Sequence, residues 1–194
     1  MQVKMTRRGV LRFLVLALVA GFASVGARSQ VVPSAFGPGD ALWVGAECSY
    51  VNPSFPYQSS QHLEGMGGFV DFHFNQHLGV EGSARFLELG GFEGVTESSY
   101  LAGPRYRLKW MGKFQPYAQG LVGIGSINYP FNLGSRSYLD IAPSGGVNYR
   151  LGKRWIVRAE YEYQVWLNSP GFSNVPDHPL RPNGVHVGVA YRLF

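Results

Sequence analysis

Cysteine is almost missing from this chain: Cys48 stands alone, so no disulfide framework can brace the fold. Charge is also scarce. Charged residues make up 15% of the sequence, against the roughly 25% usual in soluble domains. Beyond residue 27 no apolar run approaches the ~18 residues of a spanning helix, which excludes a helical membrane protein. Runs of one charge sign are missing as well. The formal charge is +5 and the pI about 9.4, but Lys4, Arg7, Arg8 and Arg12 all lie in the first residues. The remainder is close to neutral and carries no electrostatic footprint for nucleic acid.

What the chain does contain starts with a leader. A basic start is followed by the apolar run "FLVLALVAGFASV" and the small residues "VGA". That is the layout of a cleaved secretory signal peptide, expected to span residues 1–27. The apolar run is shorter than the ~20 residues of a retained anchor, and no cysteine near the cut offers a lipid anchor. A Pro/Gly linker over 28–40 precedes the main domain, 41–194. The length suits one domain.

Glycine numbers 26, nearly double its usual share, and aromatics reach 14%. Their arrangement has period two. In "ALWVGAECSY", Leu42, Val44, Ala46, Cys48 and Tyr50 oppose Trp43, Gly45, Glu47 and Ser49. In "YLAGPRYRLKW", Tyr100, Ala102, Pro104, Tyr106 and Leu108 oppose Leu101, Gly103, Arg105 and Arg107. "WIVRAEYEYQV" sets Trp155, Val157, Ala159, Tyr161 and Tyr163 against Arg158, Glu160, Glu162 and Gln164. About eight such segments of roughly ten residues follow one another, the length of a tilted membrane-crossing strand. Short turns near Asn75–His77, Met111–Lys113 and Gly152–Arg154 alternate with four longer loops. That alternation fits the periplasmic turns and extracellular loops of an outer-membrane barrel.

A soluble barrel also alternates, but its polar face meets water and is usually dense in Lys, Glu and Thr. Here the polar face mixes Gly and Ala with Glu47, Asp71, Glu81, Arg85, Arg105, Arg107, Asp140, Arg150, Arg158, Glu160, Glu162 and Arg192. Facing a narrow lumen, those charges must pair. Six acids can meet six arginines, and the expected result is a charge-filled plug. On the apolar face the aromatics gather at two levels. Phe74, Trp110, Tyr149, Trp155 and Tyr191 lie toward the short turns; Tyr50, Phe86, Tyr100 and Tyr163 lie toward the loops. Two girdles of this kind mark the two lipid interfaces. The final "GVHVGVAYRLF" then reads as the strand that closes the barrel, because an open edge cannot stand in lipid.

The segments "YLAGPRYRL", "QPYAQGLVGIG", "GGVNYRLGKRWIVRAEYEYQ" and "NGVHVGVAYRLF" resemble strand–turn–strand units of the OmpA/OmpX-like family of eight-stranded bacterial outer-membrane β-barrels. The resemblance implies an all-β, eight-stranded antiparallel up-and-down transmembrane barrel with three short periplasmic turns and four longer extracellular loops. It implies residence in the outer membrane of a Gram-negative-type envelope, among lipid and lipopolysaccharide. Export would pass through periplasmic chaperones and the barrel-insertion machinery. Tyr191, Leu193 and Phe194 resemble the family's C-terminal insertion signal, although Phe194 falls out of phase with the other two.

The resemblance says less about activity. A structural or interaction protein, monomeric and binding an extracellular ligand through its loops, is the leading expectation. A small pore or transport barrel comes next, and a lipid-modifying enzyme last. Enzymes of this fold place His and Ser two residues apart on a late strand, whereas His186 is followed by Val187 and Gly188. Asp177 and His178 read as ordinary loop polars, and Asp71 with His73 as lumen packing rather than the start of a metal site. No catalytic residue, metal or cofactor is expected. "GLVGIG" is no nucleotide motif, because no helix follows it.

Overall fold

A computed structural model describes residues 41–53, 62–89, 96–128, 135–167 and 180–194. The signal segment, the linker, most of each long loop, and Asp177 with His178 lie outside the described residues. The strands are β1 (Ala41–Asn52), β2 (Leu63–His73), β3 (Leu78–Leu89), β4 (Thr96–Arg107), β5 (Phe114–Asn128), β6 (Ser135–Arg150), β7 (Trp155–Tyr163), β8 (Val165–Leu167) and β9 (Asn183–Arg192).

Every pairing is antiparallel, and from β1 to β7 each strand pairs with its sequence neighbour, while β8 pairs with β6. β9 pairs with β1 from Trp43↔Arg192 to Asn52↔Asn183, and with β7 on its other side. The sheet is therefore closed. The terminal alternation does what an edge-free barrel requires, bonding the last strand to the first.

Nine strands make eight walls. The register of β7 on β6 (Ser144↔Glu162) continues without a step into that of β8 (Ile141↔Val165). β8 is the upper end of the same wall, interrupted only at Gln164. There the chain bonds instead to the approach to β9, with Gln164 N donating to Pro182 O at 2.7 Å and Trp166 N to Leu180 O at 2.9 Å.

Parity decides burial. Along β7 and β8, Ile156, Arg158, Glu160, Glu162, Gln164 and Trp166 are buried, while the alternate side chains are exposed or half-buried. A single barrel layer has only an inside and an outside, so a period of two maps directly onto lumen and lipid faces. Inside, apolar clusters flank the charges: Ala41, Trp43, Phe69, Ile156 and Ala190 toward the short turns, and Val51, Leu63 and Leu87 toward the loops. Two glycines make room for the rings of this interior. A Cβ at Gly45 would strike the Phe69 ring, and one at Gly146 would strike the Tyr117 hydroxyl. Both rings belong to the charged centre described next.

Candidate functional site

The centre of the lumen is built by β1, β2, β3, β4, β5 and β7. β3 and β7 are four walls apart in the ring of eight, directly across the barrel. Arg85 of β3 reaches over that diameter to Glu162 of β7, Nη1 to Oε1 at 2.6 Å, while its Nε donates to Glu47 Oε1 at 2.6 Å. Arg158 of β7 crosses in the opposite sense, donating to Glu81 Oε2 at 2.8 Å and to Glu47 Oε2 at 2.7 Å. Arg105 of β4 donates to both oxygens of Asp71 at 2.9 Å and to Glu81. Glu160 lies 3.8 Å from Arg85 and 3.7 Å from Arg158, and accepts from the Tyr117 hydroxyl at 2.6 Å.

Aromatic faces complete these contacts. The Arg158 guanidinium sits 3.5 Å from the Phe69 ring centroid, and that of Arg105 sits 3.6 Å from the Tyr117 centroid. A guanidinium stacks through its face and donates through its edge, so one group can do both. All of these charged groups are buried. Charges taken out of water at this depth are tolerable only when they are well bonded, and breaking one pair strands the other partner. The physical role of the constellation is to tie opposite walls together across the lumen.

Of the twelve charged residues read on the polar face, all but Arg150 and Arg192 are buried, and fewer of them pair than six acids with six arginines. Glu47, Asp71, Glu81, Glu160 and Glu162 pair with Arg85, Arg105 and Arg158. Arg107 is buried but donates to a backbone carbonyl, that of Asn75, at 3.0 Å. Arg150 is exposed beyond the last bonded level and stacks on Trp110 at 3.8 Å. Arg192 bonds Phe194 O at 2.7 Å. Asp140 is fully buried, and neither of its carboxylate oxygens has a hydrogen-bond partner.

Trp110 also departs from expectation. It packs against the inner cluster of Trp43 and Ile156 instead of joining the lipid-side girdle. β4 ends at Arg107, so strict alternation no longer governs the turn that carries Trp110. The remaining girdle positions lie on the outer parity. Phe86 meets Tyr100 edge-on, Trp155 meets Tyr191, and Phe114, which sequence reading had not singled out, packs on Tyr149. Tyr50, Phe74, Phe86, Tyr100 and Trp155 are exposed, and Tyr149, Tyr163 and Tyr191 are half-buried. At the end of the chain, Leu193 N donates to Leu42 O at 2.8 Å and Phe194 is half-buried.

One constellation escaped sequence reading. Ser49 Oγ lies 2.8 Å from His186 Nδ1, and His186 Nε2 lies 3.8 Å from Glu162 Oε1. Ser49 and His186 are direct partners in the β1–β9 closure, so aligning the first and last strands would have found them. The set has the members of a nucleophile–base–acid series, but not its working arrangement. Glu162 Oε1 is already held by Arg85 at 2.6 Å and by Gln164 at 2.8 Å, and Ser49 is buried. Among the described residues no group of three His, Cys, Asp or Glu could hold a metal ion, and His73 Nδ1 has no hydrogen-bond partner.

The sequence matches a family model described as outer membrane protein beta-barrel domain over residues 13–192. The chain belongs to this outer-membrane β-barrel family. It is an all-β, closed eight-walled antiparallel barrel of the OmpX-like kind, and outer-membrane residence follows from membership. Among solved structures, Ail, the attachment invasion locus protein of Yersinia pestis, is 21% identical with a TM-score of 0.51, covering 79% of this chain and 97% of its own. Neisserial surface protein A is 14% identical with a TM-score of 0.58 over the same shares. The N-terminal barrel domain of OprF from Pseudomonas aeruginosa is 13% identical with a TM-score of 0.54, covering 78% of this chain and 97% of that domain. At these identities the likeness concerns the fold. No protein of curated function matches the sequence.

Proposed function

We propose that this barrel is a structural or interaction protein of the outer membrane rather than an enzyme: a single-copy scaffold that carries partner-binding loops on a sealed base. The observation that carries the reading is the pair of cross-diameter bridges, Arg85–Glu162 and Arg158–Glu81. Side chains joined across an eight-stranded interior fill the cross-section that a pore would need open. The four long loops then remain the surface free to engage an extracellular ligand, while lipid and lipopolysaccharide surround the girdles. Delivery uses the leader at 1–27, periplasmic chaperones and insertion machinery that reads the Tyr191–Leu193–Phe194 end.

Planar-bilayer recording tests the seal. The wild type should conduct little, and Glu160→Ala with Glu162→Ala should raise single-channel conductance. Large, steady conductance in the wild type, unchanged by the double substitution, would replace the scaffold with a small pore. Delivery is checked separately, since the mature protein should begin near Arg28 and fractionate with the outer membrane.

A further inference from the structure

At the short-turn end the lumen opens into a cavity of about 730 Å³ whose described lining contains Arg107, Lys109, Arg150, Lys153 and Arg192 but no acidic residue. Trp43 and Trp110 form part of its wall. We propose that this mouth is a binding site for a phosphate-bearing anion.

Three observations support it. Arg192 is held by Phe194 O at 2.7 Å, but among the described residues Arg107, Lys109, Arg150 and Lys153 converge without an acidic side chain in the lining, whereas every arginine at mid-lumen holds a carboxylate. Like charges around one partly desolvated cavity repel, and a multivalent anion relieves all of them together. Second, donors remain after the protein's own bonds: Arg107 Nη2 donates to Asn75 O and Arg192 Nε to Phe194 O, but the other cations of the lining keep N–H groups to give. Arg107 is 8% exposed, and its buried Nε has no hydrogen-bond partner. Arg150 stacks on the Trp110 ring by its face, which leaves its edge N–H groups for an acceptor. Third, the cavity is larger than a bare ion needs. Its volume falls in the ~300–1,000 Å³ range of small-molecule sites, and an indole wall suits an organic body attached to the charged group. Phosphate fits this donor set better than a carboxylate, having more oxygens and up to two charges to share among several cations.

The anion could come from a soluble phosphate compound or from a phospholipid headgroup, and calorimetry separates the two. Folded protein in dodecylmaltoside, verified by its heat-dependent shift on gels, is titrated with inorganic pyrophosphate. Saturable binding near one per barrel is expected, weakened at least tenfold by Arg107→Gln with Lys153→Gln. Lys109→Gln with Lys153→Gln, at two exposed positions, should weaken it in the same direction if the first pair fails to fold. Arg136→Gln with Arg181→Gln removes equal charge at the loop end and should leave binding unchanged. Competition by glycerophosphoglycerol, a chain-free phosphodiester headgroup, would assign the site to lipid; its failure would assign it to a soluble multivalent phosphate. No saturable binding by the folded wild type, or an equal loss in the loop-end control, overturns the proposal.

Discussion

At mid-barrel Arg85, Arg105 and Arg158 each hold two or more carboxylates, whereas toward the loops Asp140 is buried with neither carboxylate oxygen accepting a hydrogen bond, and Glu97 is buried with its Oε1 unbonded. Both levels occupy inward positions of the same closed wall, Glu97 on β4 and Asp140 on β6. Parity put the acids inside in both cases, but only one level has arginines long enough and close enough to reach them. Among the described residues seven buried carboxylates face four buried guanidiniums, so the imbalance collects where arginine is missing. Together with the basic mouth, this leaves the lumen acidic toward the loops, paired at the centre and basic at the short turns. Burial by alternation and stabilisation by pairing are separate properties, and this barrel has both only at its centre.

The strongest test of that contrast removes the middle of the bridged level. Arg158→Ala should cost about 3–5 kcal/mol, because it strands Glu47 and Glu81 without a donor they now share. The midpoint of urea unfolding in lipid, read by the gel shift, measures it. A loss no greater than that of Arg150→Ala, an exposed position, would show that the bridges contribute little.

One residue along, the comparison moves from lumen to lipid. Ala159 is exposed on the outer parity, and Ala159→Arg should cost about 2–4 kcal/mol near mid-membrane. Gln164→Arg places the same group inside, beside Glu162, and should be tolerated far better. Similar costs for the two would mean that the outer wall does not face hydrocarbon.

Tyr117→Phe trims the paired level at its margin. It deletes the 2.6 Å bond to Glu160 but keeps the ring beneath Arg105, and should cost about 1.5 kcal/mol. A much larger loss would make the hydroxyl a main support of Glu160 despite its two arginine neighbours.

The smallest effect should run the other way. Asp140→Asn keeps the shape, removes an unbonded buried charge and supplies a donor near other acids, so a gain of about 1 kcal/mol is expected. A loss equal to that of Glu81→Gln, measured by the same unfolding, would erase the distinction between the two levels.

Alternation alone was enough to read the closed all-β wall, the short turns and the side each strand residue faces. In a single-layer barrel successive side chains have only two destinations, and local sequence fixes which is which. It also placed the girdle positions that lie within strands, and failed at Trp110, where the strand had ended and the chain was free to fold over the mouth. Ser49 and His186 went unnoticed because their contact depends on the register of the first strand against the last.

The sequence by itself thus determined that charges would enter the lumen and that the last strand would have to close it. Which charges meet was decided only by the tertiary structure. Arg85 and Glu162 lie 77 residues apart, Arg158 and Glu47 111 apart, and each pair touches because the number of walls and their registers bring particular levels together. The same geometry left Asp140 without a partner and gathered Arg107, Lys109, Arg150, Lys153 and Arg192 at one mouth. Parity is a property of one strand, but an ion pair across a barrel depends on the closed ring of eight walls.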